Sequence, residues 1–176
     1  MAPDHLAAVE SLADDLDRAG FEPVLVGGMA LVVLGSPRVT KDFDFLVSAP
    51  DASKRDLVRI MYRHRLQLVT KLNPEGGVVR TVESPRIAAI KIGGSGARSL
   101  FFYNEMTGLR VDLLFDHPLP ARSVIRRAAK VRLKAGRIAV ASPEDLLRLK
   151  EIAHADRKSA SDAQDLEFLR KILRKD

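Results

Sequence analysis

The 176-residue chain contains no cysteine and no tryptophan, and aromatic residues make up only 5% of it. Without cysteine there is no disulfide scaffold, thiolate nucleophile, zinc finger or iron–sulfur cluster, and such a chain suits the cytoplasm. So few aromatics leave no evident stacking platform for single-stranded bases. Long apolar runs are missing too: the longest, Met29 to Leu34, is far short of the roughly 20 residues of a membrane span. The opening residues, MAPDHLAAVESLADDLDRAG, carry acids where a signal peptide needs a basic region and an apolar core. The expectation is a soluble, cytoplasmic protein without a membrane partner. No serine–histidine or P-loop motif occurs, which argues against hydrolase and Walker-type chemistry. His5, His64, His117 and His154 share no ligand-like spacing.

What is present is an ordinary globular balance, 46% hydrophobic and 30% charged, in a length that fits one domain. We expect a core over residues 1–140 and a C-terminal helical segment over 141–176 packed on it. The net charge of +6 is unevenly placed. Residues 1–116 hold 14 basic and 15 acidic side chains, whereas residues 117–176 hold 15 and 8. Between Asp116 and Glu144 there is no acid, yet Arg122, Arg126, Arg127, Lys130, Arg132, Lys134 and Arg137 fall there. A one-signed stretch of this kind is either a solvated face or an attractor of polyanions such as RNA.

Leu6, Val9, Leu12 and Leu16 recur at helical spacing and predict a helix over 3–19. Residues 23–26 read as a short buried strand, 29–34 as a buried helix and 36–41 as a loop. Asp-Phe-Asp-Phe-Leu-Val over 42–47 alternates as a strand does. A helix is expected over 51–64, with Ala52, Leu57, Ile60 and Met61 on its apolar side. A β-rich middle follows, with strands at 78–82, 87–92, 99–103 and 109–115. Further on, 122–129 reads as a helix, and 131–133 with 138–140 as a hairpin around Ala135-Gly136. Ser142-Pro143-Glu144-Asp145 is a helix start, with a cap serine, a first-turn proline and acids near the positive end of the dipole. Helices are expected over 143–154 and 160–174. The fold class is α+β: a mixed β-sheet flanked by helices, with helices at the C-terminus.

Two places carry chemistry. A buried strand delivers Gly27-Gly28 to the mouth of a helix, where glycine permits either a tight turn or close approach of a phosphate to the backbone. Asp42 and Asp44 stand one residue apart on a strand and project from one face. They sit on a wet edge or face a cation, since paired carboxylates on an apolar strand are otherwise costly. Asp112, flanked by Val111 and Leu113, adds a third acid. Asp116 is its rival, but its place before His117-Pro118 reads as a strand end, and we take Asp112. Three carboxylates on neighbouring strands make an all-oxygen site suited to Mg²⁺ or Mn²⁺. Asp162 and Asp165, three apart on one helix, are expected to cap it or pair with Arg157 and Lys158.

Gly27-Gly28, then Asp42-Phe43-Asp44, with Asp112 on its own strand, resembles the signature of the polymerase-beta-type nucleotidyltransferase superfamily. Arg38-Val39-Thr40-Lys41 leading into Asp42 is similar to the Arg-x-Thr-x-Asp-x-Asp variant of its abortive-infection toxin-like branch, close to the minimal nucleotidyltransferases. Residues 141–150 with Arg157-Lys158 and Asp162-x-x-Asp165-Leu166 resemble the closing helices of those small members. Many members have Gly-Ser where this chain has Gly27-Gly28, so a phosphate-contacting hydroxyl is missing; the double glycine is usual in the toxin-like branch. The resemblance implies that Gly27 and Gly28 approach the triphosphate and that Asp42 and Asp44 ligate both metals. It implies that Asp112 holds the metal activating the acceptor hydroxyl. Arg38 and Lys41 are then phosphate contacts and Lys150 a neutraliser of the triphosphate.

The implied activity is metal-dependent transfer of NMP from an NTP to a hydroxyl, with Mg²⁺ or Mn²⁺ as cofactor. The acceptor is an RNA with a tRNA-like end, with a cognate toxin or antitoxin as companion. Alternatives are adenylylation of a protein partner, as by small antitoxin-type members, and a non-catalytic nucleotide- or RNA-binding module on the same fold.

Overall fold

The computed structural model describes residues 4–48 and 54–175. Within them lie seven helices and a sheet of eight strands, in the order β4-β3-β5-β6-β2-β1-β8-β7. The strands are β1 (Val24–Val26), β2 (Asp42–Val47), β3 (Gln67–Leu72), β4 (Val78–Val82), β5 (Ser99–Asn104), β6 (Leu109–Phe115), β7 (Ala129–Arg132) and β8 (Arg137–Val140). The helices are α1 (His5–Arg18), α2 (Gly27–Val33), α3 (Lys54–Arg63), α4 (Pro85–Gly93), α5 (Ala121–Arg127), α6 (Pro143–Arg157) and α7 (Ala160–Leu173). The sheet is mixed: β2 runs parallel to β6 and β1 parallel to β8, and the other neighbours are antiparallel. The expected α+β architecture is the observed one.

Two adjacent registers across the sheet separate core from site. Leu100, Leu113, Phe45, Leu25 and Val140 stand opposite one another across β5, β6, β2, β1 and β8. Every one of them is buried. One residue further along, Phe101, Asp112 and Asp44 form the next row, and the period-two alternation turns that row to the opposite face. The apolar row holds the centre of the core; the other faces a cavity.

Helix α1 is fixed at its N-terminus and at its middle by side-chain oxygens. Asp4 accepts from the Ala7 amide at 3.1 Å. The buried Glu10 accepts from the Ala135 and Gly136 amides at 2.9 and 3.2 Å, which ties α1 to the β7–β8 turn. The Ser142-Pro143 start of α6 behaves as its sequence predicts, the Ser142 hydroxyl accepting from the Asp145 amide at 3.2 Å.

The structure corrects several assignments. Residues 87–92 form helix α4, not a strand. Their Ile-Ala-Ala-Ile-Lys-Ile pattern alternates loosely, but Ser84 accepts from the Ile87 amide at 3.4 Å and Pro85 stands in the first turn. That is the signal already present at Ser142-Pro143. β3 is a strand that received no boundaries within the β-rich stretch. Helix α5 ends at Arg127, and Ala129, expected in it, begins β7 instead. The helix expected over 51–64 is α3; residues 51–53, Ala52 among them, and residue 3 of the first expected helix lie outside the described residues. Among the described residues no helix is long and apolar enough to cross a membrane.

Phe45 is wholly buried in the middle of the apolar row. Phe45→Ala is expected to lower stability by about 3–5 kcal/mol, read as a lower urea midpoint with an unchanged slope.

Candidate active site

The chain leaves β1 and turns straight into α2 through Gly27, whose φ is +67°. No side chain caps α2 at Val26. Both glycines have side chains packed against them, Gly27 the more tightly. A Cβ on Gly27 would lie 2.1 Å from Oδ2 of Asp44, and one on Gly28 would lie 2.8 Å from Cζ of Arg38. At Gly27 the clash runs back to the Asp44 Cβ at 3.0 Å, whereas at Gly28 the end of the Arg38 side chain would have to move aside. The double glycine therefore makes room for one carboxylate and one guanidinium pressed against the backbone, and the left-handed φ at Gly27 further disfavours a side chain there.

Asp44 stands directly opposite Asp112 across the parallel β2–β6 pair, with Asp42 two residues back on the same face. All three line one cavity of about 780 Å³. The same cavity is lined by Gly27, Gly28, Arg38 and Lys150. Lys41 is exposed and is not among the lining residues. Asp116, the rival third acid, instead accepts from the Ala121 amide at 2.9 Å at the strand end.

The carboxylates do not close into one ligand set by themselves; among the described residues no three acidic or histidine side chains are gathered into a formed cation site. Like charges side by side repel, and Asp112 is compensated by Arg110, which the sequence reading missed. Arg110 Nε and Nη2 donate to Asp112 Oδ1 and Oδ2 at 3.1 and 3.2 Å, and its Nη1 donates to the Gly76 carbonyl at 3.0 Å. The signal was available: Arg110 lies two residues before Asp112 on a strand, hence on the same face. Among the described residues Asp44 has no such partner. Burial, then the neighbouring charges of Asp112 and Asp42, push its carboxyl up to about 7, with Lys150 and Arg110 only partly opposing. Burial likewise raises Asp112 above its ordinary value despite the hydrogen bonds from Arg110.

The cations at the other wall are held from behind. Lys150 on α6 lies 3.0 Å from Asp162 and 2.7 Å from Asp165 on α7, and Arg38 donates to Asp165. Both acids are buried, at 2% and 4% exposure. Burial alone would raise Asp162, but hydrogen bonds from Ser159 and Lys150 hold it below its ordinary value. The expected pairing of these acids with Arg157 and Lys158 is thus mostly replaced. Only Arg157 reaches Asp162, at 3.5 Å, while Lys158 takes the left-handed C-cap of α6. Sequence spacing alone did not show that α7 folds back against the cavity, so local partners were assigned in place of distant ones.

The site suits a hard divalent cation on chemical grounds. Carboxylate oxygens line it, the donors such a cation takes, and burial, with the charges of Asp112 and Asp42 added, raises the Asp44 carboxyl to about 7. A sign follows. The unfolded carboxyl has its ordinary value of 3.8 and the folded one about 7, so the native state binds the extra proton and loses stability as pH rises between those values. Asp44→Asn is expected to raise the melting temperature of the metal-free protein at about pH 8, with little effect below pH 4; calorimetry on both proteins across that range checks this.

Comparison with known proteins bears on this geometry. The structure resembles the antibiotic-resistance factor ANT(2'')-Ia, with a TM-score of 0.61, 12% identity, and 98% of this chain and 86% of that one covered. It resembles a nucleotidyltransferase candidate from Thermotoga maritima at TM-score 0.57 and 16% identity, covering 100% and 97%. An antigenic nucleotidyltransferase-like protein from Paracoccidioides brasiliensis follows at 0.56 and 18%, covering 98% and 78%. At such identities the likeness is one of fold. No curated protein is matched in sequence. The family described as "Nucleotidyl transferase AbiEii toxin, Type IV TA system" matches residues 8–175, and by that match over nearly its whole length the chain belongs to the AbiEii nucleotidyltransferase family.

Proposed function

We propose that this chain transfers NMP from an NTP to a hydroxyl of an RNA acceptor with a tRNA-like end, releasing pyrophosphate, as the toxin of a toxin–antitoxin pair. The observation that carries the reading is the row Asp44–Asp112, with Asp42 beside it, lining one cavity with the Gly27-Gly28 turn, Arg38 and Lys150.

In this reading Asp42, Asp44 and Asp112 hold Mg²⁺ or Mn²⁺, which supplies charge neutralisation at the reacting phosphate and the attacking hydroxyl. The protein's own groups supply position. The glycine turn admits the triphosphate close to the backbone. Arg38 and Lys150 face it as fixed cations, because Asp165 and Asp162 hold them from the α7 side. Preorganised charge of this kind costs no rearrangement as the reaction proceeds. The acceptor oxygen then forms its bond to the α-phosphorus as the bond to pyrophosphate breaks, and its proton passes to the Asp112 carboxylate. Lys41, exposed beside this wall, is left as a contact for phosphate beyond the cavity.

The acid-free stretch supports an RNA acceptor. Arg127 is bound to Asp145 and Lys134 to Asp4. Arg122, Arg126, Lys130, Arg132 and Arg137 are exposed on α5 and the β7–β8 hairpin. β7 is three strands from β2, roughly 15 Å across the sheet, a distance that an RNA backbone spans easily.

With labelled NTPs, Mg²⁺ or Mn²⁺, and total RNA, label is expected on RNA with the wild type and on nothing with Asp44→Asn, whose circular dichroism stays native. Unchanged transfer by Asp44→Asn would refute the site. Label on a protein band would replace the RNA acceptor with a protein one.

A further inference from the structure

The cavity has a second end that the proposed reaction leaves unassigned. Across the sheet from the glycine turn, past Asp112, the row continues to Phe101 on β5. Strand spacing places the Phe101 and Asp112 backbones roughly 5 Å apart. Along β5 the burial alternates: Leu100 is 8% exposed and Phe102 is 0% exposed in the core, while Phe101 is only partly buried and lines the cavity. A phenylalanine on the polar row forgoes the burial that its neighbours enjoy. Its ring instead meets a guanidinium, with Cζ of Arg110 5.3 Å from the ring centroid. The same Arg110 grips Asp112 through both carboxylate oxygens. One face of an aromatic ring is thus backed by a cation that is itself locked to the third carboxylate.

Such a pair offers a planar partner a flat surface at a fixed distance from Asp112. Bases stack on aromatic rings and on guanidinium planes, and the contact tolerates any base because all have a π-face. The phosphate-binding groups Arg38 and Lys150 stand at the opposite wall, so this end is left to the acceptor. We propose that Phe101, backed by Arg110, is the platform on which the terminal nucleobase of the acceptor RNA stacks, presenting its ribose hydroxyl toward Asp112. The proposal rests on the RNA-acceptor reading above and narrows it: the enzyme recognises a base-bearing RNA end through its π-face. A serine or tyrosine hydroxyl of a protein brings no nucleobase to such a surface.

Fluorescence tests the platform without metal or turnover. A short RNA ending in 2-aminopurine is expected to be quenched on binding the wild type and Phe101→Tyr, and to keep its emission with Phe101→Ala. Equal quenching by Phe101→Ala, or quenching of 2-aminopurine riboside triphosphate in place of the RNA end, overturns the proposal. Transfer assays with Mg²⁺ separate the two layers. Wild type is expected to prefer an RNA with an intact terminal base over one with an abasic terminal ribose by about tenfold. In Phe101→Ala that preference disappears, with the loss in KM for RNA, while the melting curve shows the variant folded. Transfer that ignores the terminal base overturns the platform and leaves the nucleotidyltransferase reading standing. Absence of NMP transfer to any acceptor overturns that reading, and the proposal with it.

Discussion

The parallel pairing of β2 with β6 is the constraint on which the rest of the structure depends. It sets Asp44 opposite Asp112, and it does so only because the neighbouring register, Leu100–Leu113–Phe45–Leu25–Val140, is apolar and buried. A one-residue slip would bring the aspartates into the core and the leucines into the cavity, a cost far beyond what the fold could absorb. The hydrophobic effect thus places the acids, although none of them contributes to it.

Around that row the protein balances charge by two different means. Asp112 has an internal cation, Arg110. Asp44 has none; it is pressed against Gly27, crowded by Asp42 and Asp112, and keeps its proton to near neutrality. At the opposite wall the order is reversed, with two buried acids of α7 serving two cations of the cavity. The C-terminal helices are therefore part of the site's electrostatics. Their own packing would otherwise give no reason to bury Asp162 and Asp165.

Much of this was legible in the sequence, for reasons that differ from element to element. β2 is bounded as its alternation predicts and α6 starts where its cap predicts, because these signals are local; α6 runs on to Arg157, three residues past the expected end, and α1 spans His5–Arg18 within the expected 3–19. That Gly27-Gly28 and Asp42-x-Asp44 belong together is legible from the resemblance of their spacing to a known signature, and the fold brings them to one cavity; the alternation alone leaves a wet edge equally open. The isoleucine-rich run of α4 alternates like a strand, and only the Ser84-Pro85 cap before it marks the helix. Arg110 and Phe101 escaped notice because each is unremarked in its own strand; their meaning comes from register across β5, β6 and β2, which no single segment encodes. Asp162 and Asp165 were given neighbours in sequence, and the fold gave them Lys150 and Arg38 instead.

The most direct test of the central claim is Mn²⁺ binding followed by electron paramagnetic resonance, without nucleotide or acceptor. The account predicts that replacing Asp112 by asparagine weakens Mn²⁺ binding by at least about tenfold, as replacing Asp42 does, with circular dichroism unchanged. An Asp112→Asn protein that binds Mn²⁺ as tightly as the wild type would contradict it, because the strand register would then have brought the third carboxylate to the cavity for some other purpose.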